Sequence, residues 1–110
     1  MIKNTLTKIE DKIRTVNSIP DDNRTELLTL LATLKAEVEV LSETERESAE
    51  SITGFAQVST HEATRQEKDQ QLLELSLHGL ASSVREFETS HPKLAETVNS
   101  LCQILSNMGI

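Results

Sequence analysis

Apolar residues recur along this chain at alternating steps of four and three. Ile2, Leu6, Ile9, Ile13 and Val16 make one series, and Leu27, Leu31, Leu34, Val38 and Leu41 a second. Leu73, Leu77, Leu80, Val84 and Phe87 make a third, and Leu94, Val98, Leu101, Leu105 and Met108 a fourth. Such spacing averages about 3.5 residues, which keeps one stripe of a helix turned toward a partner helix. The pattern predicts an all-α protein of two antiparallel helical hairpins, forming a four-helix bundle or a coiled-coil-like assembly. The expected helices cover residues 2–17, 22–41, 70–88 and 92–107 of a single domain.

The punctuation between the stripes supports these limits. The residue before a proline is pushed out of the helical region, so Ser18-Ile19-Pro20 ends the first helix. Pro20 then suits the first turn of the next, where Asp21 and Asp22 complement the positive end of the helix dipole. Asn23 and Glu26 offer a competing capping box. A connection this short returns the second helix antiparallel to the first. Leu28, Leu30 and Ala32 widen the apolar face of that second helix beyond what one neighbour covers. Pro92 opens the last helix with Ser90 or His91 as cap, Asn107 and Gly109 are its expected terminators, and Ile110 is expected to fold back on its last turn. Gly79 interrupts the third helix at a cost of about 1 kcal/mol relative to Ala, which points to close approach of another backbone there.

Residues 43–69 break the pattern. The stretch holds seven acidic and three basic residues, and its large apolar side chains are Ile52, Phe55 and Val58. Ordering each backbone costs about 1–2 kcal/mol, whereas each large buried side chain returns roughly 1.5–3 kcal/mol. The expectation is a polar, solvated helix or a mobile connection, bent near Gly54–Thr60, where Ser59 and Glu62 offer a new cap. Glu10–Arg14, Arg46–Glu50 and Arg65–Asp69 are spaced as helical ion pairs. Order in the middle would require another subunit to cover Ile52 and Phe55. With Leu28 and Leu30, these two residues form the candidate partner or oligomer interface.

Composition narrows the function classes. The 110 residues contain two Phe and no Trp or Tyr, so the core is filled by Leu, Ile and Val rather than shaped around a deep ligand cavity. A formal charge of −7 disfavours nucleic acid and anionic membrane surfaces. The basic strip Lys3, Lys8, Lys12 and Arg14 is expected to be a solvated helix face. Cys102 is the single cysteine, and beside Leu101 it reads as a small apolar filler. With no long apolar run and no leader-like N-terminus, the expected location is cytoplasmic, with no membrane association.

Candidate chemistry is sparse. Glu88-x-x-His91 is one Glu-x-x-His unit of the type that carboxylate-bridged metal bundles use in pairs, and Glu74 and His78 lie one helical turn apart. These four residues define the alternative reading, a small-ligand or metal-binding bundle. No nucleophile elbow and no phosphate-cradling loop is present, since the three glycines are isolated. No cofactor is expected.

The segments Val84-Arg85-Glu86-Phe87-Glu88, Ser90-His91-Pro92-Lys93-Leu94, Val98-Asn99 and Leu105-Ser106-Asn107-Met108-Gly109-Ile110 resemble the ending of a family of small bacterial helical proteins, a domain of unknown function. The first hairpin, where Asp21-Asp22-Asn23-Arg24 opens a Leu-rich helix, is similar to that family's N-terminal part. The resemblance implies a cytoplasmic bacterial protein and brings no activity or site residues with it. The reading that follows is a non-catalytic, self-associating helical protein, a dimer, that binds a protein partner through a helix face.

Overall fold

The computed structural model describes residues 2–108. Five α-helices follow one another: α1 (Ile2–Thr15), α2 (Asp21–Leu41), α3 (Arg46–Thr64), α4 (Gln70–Ser83) and α5 (Pro92–Met108). A single 3-10 turn, Arg85–Phe87, separates the last two. The expected terminator Gly109 and the expected fold-back of Ile110 lie outside the described residues.

The stripes read from the sequence are the core. Leu6, Ile9 and Ile13 of α1 are buried, as are all five residues of the α2 series, Leu73, Leu80, Val84 and Phe87, and Leu94, Val98, Leu101 and Leu105. Ile2, Val16, Leu77 and Met108 pack against this core while partly exposed. α1 packs on α2, and α4 on α5, as the two expected hairpins require, and α2 packs on α5 to join them. The radius of gyration of 12.9 Å is close to the roughly 13 Å of a closed single chain this long. The stripes are therefore satisfied within one chain.

The middle of the chain differs from expectation. Residues 46–64 form one helix without interruption at Gly54–Thr60, and Ser59 lies inside it rather than capping a new start. Far from being a solvated or mobile connection, α3 packs against all four other helices. Its buried face is Ala49, Ile52, Thr53, Ala56, Ser59, Thr60 and Ala63. Small side chains let the helix lie close to its neighbours, so the surface it removes from water belongs largely to the leucines and isoleucines opposite. The arrangement is thus a five-helix one rather than a four-helix bundle.

Local chemistry sets the helix ends. α1 stops at Thr15, two residues early, and the Arg24 guanidinium donates to the Ile13 and Ile19 carbonyls, the latter at 3.0 Å. The orphan Ile13 carbonyl at that helix end thereby gains a charged donor. α2 begins directly after Pro20, and no side-chain bond caps it, so the Asn23 box is unused. Asp69 caps α4 by accepting from the Leu72 amide at 3.1 Å. α4 ends at Ser83 rather than 88, where the Ser83 hydroxyl donates to the Leu80 carbonyl at 2.6 Å and competes with the helical ladder. Two expected ion pairs are replaced. Glu10 meets Lys35 of α2 at 3.3 Å while Arg14 turns to Asp11, and Arg65 pairs with Glu62 at 2.9 Å rather than with Asp69. Arg46–Glu50 forms at 3.6 Å.

Candidate functional site

Among the described residues, four of the five exposed large apolar side chains lie along the seam of α3 and α4, the fifth being Val40 of α2. Phe55 and Val58 project from α3, and Leu72 and Leu75 from α4, with 41%, 48%, 43% and 68% of each residue exposed. They border a shallow groove of about 190 Å³ that Glu62 and Ser76 complete. Gly79 positions the ring. A β-carbon there would sit 2.6 Å from Cδ1 and 2.9 Å from Cζ of Phe55, and closer still to Cε1. The close approach expected at Gly79 is therefore made by an aromatic ring, not a backbone.

The polar groups of this groove are occupied internally. Glu62, with 9% of its side chain exposed, accepts from Arg65 Nη1 at 2.9 Å. His61 Nε2 approaches its other oxygen at 4.0 Å. The Glu62 hydrogen bond in turn pushes the Arg65 pKa upward. Ser76 Oγ donates to the Leu73 carbonyl at 2.9 Å. What the groove offers a visitor is apolar surface.

Of the four interface residues read from the sequence, one lies in this patch. Phe55 does, with part of its ring in water. Ile52 is fully buried in the core and unavailable to any partner, because it faces inward from α3 toward the neighbouring helices. Leu28 and Leu30 are half-buried against the core and do not border the groove. Val58, Leu72 and Leu75 were not among the expected residues. A signal for them existed: Leu72 and Leu75 flank the buried stripe residue Leu73 at i,i+3 spacing, widening the α4 face as Leu28 and Leu30 widen that of α2.

The alternative constellation does not assemble. Glu74 and His78 are exposed on α4, and Glu88 is exposed beyond the 3-10 turn. His91 is half-buried edge-on to Phe87, with ring centroids 5.7 Å apart. Among the described residues no group of three or more His, Cys, Asp or Glu side chains is placed to hold a metal ion. Cys102 donates weakly to the Leu77 carbonyl at 3.8 Å, and burial pushes its thiol pKa up to about 11. It is therefore a poor nucleophile at neutral pH.

Among the described residues no helix is long and apolar enough to cross a membrane. No curated protein and no solved structure matches the chain. The family model of a domain of unknown function, DUF4404, matches residues 2–110, essentially the whole sequence, and the chain belongs to that family.

Proposed function

We propose that this chain is a non-catalytic interaction protein that associates with a second copy of itself through the Phe55–Val58–Leu72–Leu75 patch. The patch itself carries the reading. Its four residues leave the equivalent of two whole side chains in water, roughly 350 Å² of mainly apolar surface. A patch of about 300–600 Å² is the size at which a monomer's largest apolar surface is often functional. A self-pairing surface must be complementary to its own copy, and a uniformly apolar one is. Its one charged lining group, Glu62, is neutralised by Arg65, so a foreign partner finds little ionic character with which to be selected.

The area also sets the strength. Two patches bury about 700 Å² in total, below the roughly 1,200–2,000 Å² of stable complexes. At about 25 cal/mol/Å² that burial yields roughly 17 kcal/mol gross, against an association cost estimated at about 4–15 kcal/mol or more. The dimer is weak and concentration-dependent. Repulsion between two copies of charge −7 opposes it, so added salt strengthens it.

Sedimentation equilibrium from micromolar to millimolar protein tests this. The wild type should rise above its 12.2 kDa monomer mass, more so in high salt, and Leu75→Glu should remain monomeric with an unchanged unfolding transition. A wild-type monomer at every concentration in high salt, or equal association of the variant, would remove the proposal. A distinct protein that competes for the patch and leaves the wild type monomeric would assign it to a foreign helix instead.

A further inference from the structure

We propose that the groove between α1 and α3 is a binding site for a small amphiphilic carboxylate. This groove, about 380 Å³, is separate from the apolar patch, although Val58 borders both. The volume falls at the lower end of the roughly 300–1,000 Å³ of small-molecule sites. Its floor is apolar, formed by the buried Ile9 and by Val58. Its rim is basic: Lys8 and Lys12 from α1, and His61 from α3. No Asp or Glu borders it among the described residues.

In a chain of charge −7, two lysines around one groove with no acid among its lining residues are a local reversal of sign. The cations nearby on α1 do not share this situation. Lys3 meets Glu39 at 3.8 Å, and Arg14 meets Asp11 at 3.3 Å. Neither Lys8 nor Lys12 has a carboxylate within ion-pair distance among the described residues. Lys12 Nζ instead lies 3.5 Å from His61 Nδ1. Thr60, 4% exposed, contributes to the groove wall from α3.

The ligand chemistry follows from these parts. A carboxylate placed between the two lysines satisfies both ammonium groups. Its apolar body lies along Ile9 and Val58. A compact anion lacking that body leaves the floor wet, and an uncharged amphiphile leaves the lysines unpaired. Both should bind less well.

The site is tested by heteronuclear nuclear magnetic resonance titration of the labelled full-length protein with octanoate, octan-1-ol and inorganic phosphate. Octanoate should saturably shift the amides around Lys8–Lys12 and Gln57–His61, at least tenfold more tightly than octan-1-ol or phosphate. Lys8→Gln with Lys12→Gln should weaken octanoate at least tenfold and leave octan-1-ol unchanged. Lys8 is exposed and Lys12 half-buried on a helix surface, and Lys8→Gln alone serves as a milder second variant. The proposal is overturned if octanoate and octan-1-ol bind alike, if phosphate alone matches octanoate, if no shift saturates, or if the lysine variants bind octanoate as the wild type does. Leu75→Glu, which abolishes the proposed dimer, should leave octanoate binding intact, so the two sites fail independently.

Discussion

Gly79→Ala sets two effects of opposite sign against each other, and the geometry of Phe55 decides the balance. Replacing a glycine inside α4 by alanine favours the helix by about 1 kcal/mol. The new methyl group, however, occupies space the Phe55 ring now fills, 2.6 Å from Cδ1 and 2.9 Å from Cζ. The ring is the end of a side chain already 41% exposed, so it can swing outward rather than force the backbones apart. Its retreat forfeits rather more than half of the roughly 1.5–3 kcal/mol that full burial of a Phe provides, a loss of about 1–2 kcal/mol. Gly79→Ala alone should therefore lie between no change and a destabilisation of about 1 kcal/mol. In a Phe55→Ala background the obstruction is gone, and the same substitution should stabilise by the full 1 kcal/mol or so. The coupling, about 1–2 kcal/mol, exceeds the roughly 0.3–0.5 kcal/mol scatter of independent sites. Urea unfolding of all four proteins, followed by far-ultraviolet circular dichroism because the chain has no Trp or Tyr, measures it. An equal effect of Gly79→Ala in both backgrounds would refute the seating of the ring on Gly79.

Three further outcomes follow from the same core. Ile52→Ala should cost about 2–5 kcal/mol by thermal or urea unfolding, because Ile52 is fully buried beneath α3; a cost within about 0.5 kcal/mol would return it to solvent. Ser59→Ala should stabilise by about 1 kcal/mol and raise the calorimetric melting temperature by about 4 °C, since Ser59 Oγ is buried without a hydrogen-bond partner among the described residues and Ala is the better helix former; a lower melting temperature would mean that hydroxyl is satisfied. Alkylation of Cys102 by iodoacetamide should climb tenfold per pH unit and level off only near about 11, whereas the unfolded chain levels off near 9.0. The folded thiol holds its proton more tightly than the unfolded one, so its contribution makes stability fall as pH rises from 9.0 toward about 11 and leaves it flat below; folded-state alkylation that levels off near 9.0 would show the thiol to be open to solvent.

What the sequence made legible, and what it hid, divides along the size of the buried side chains. Helices α1, α2, α4 and α5 announce themselves because their inward positions are Leu, Ile and Val at the period of a helix facing a helix, and those residues are the core. α3 is as well buried, yet its inward face is Ala, Thr and Ser around the lone large Ile52. Weighing that segment's own apolar side chains against its own backbone entropy is the wrong balance for a central helix, because the surface it shields belongs to its neighbours. Small residues are what allow one helix to touch four others, as α3 does, and the same smallness erases its hydrophobic signature. The misplacement of the interface has the same origin. If α3 is taken as solvated, Ile52 and Phe55 appear as one exposed pair awaiting a subunit. Once α3 is central, Ile52 lies in the core and Phe55 at the edge of the same helix face, on the α4 seam, where Gly79 admits the ring beside Leu72 and Leu75. The basic groove was hidden for another reason. Lys8 and Lys12 on α1 are separated from His61 and Thr60 by some fifty residues of sequence, and only the packing of α1 on α3 brings them to one rim. Helix periodicity specifies which face turns inward but not which two outward edges will meet, so a site built across such an edge emerges only from the assembled fold.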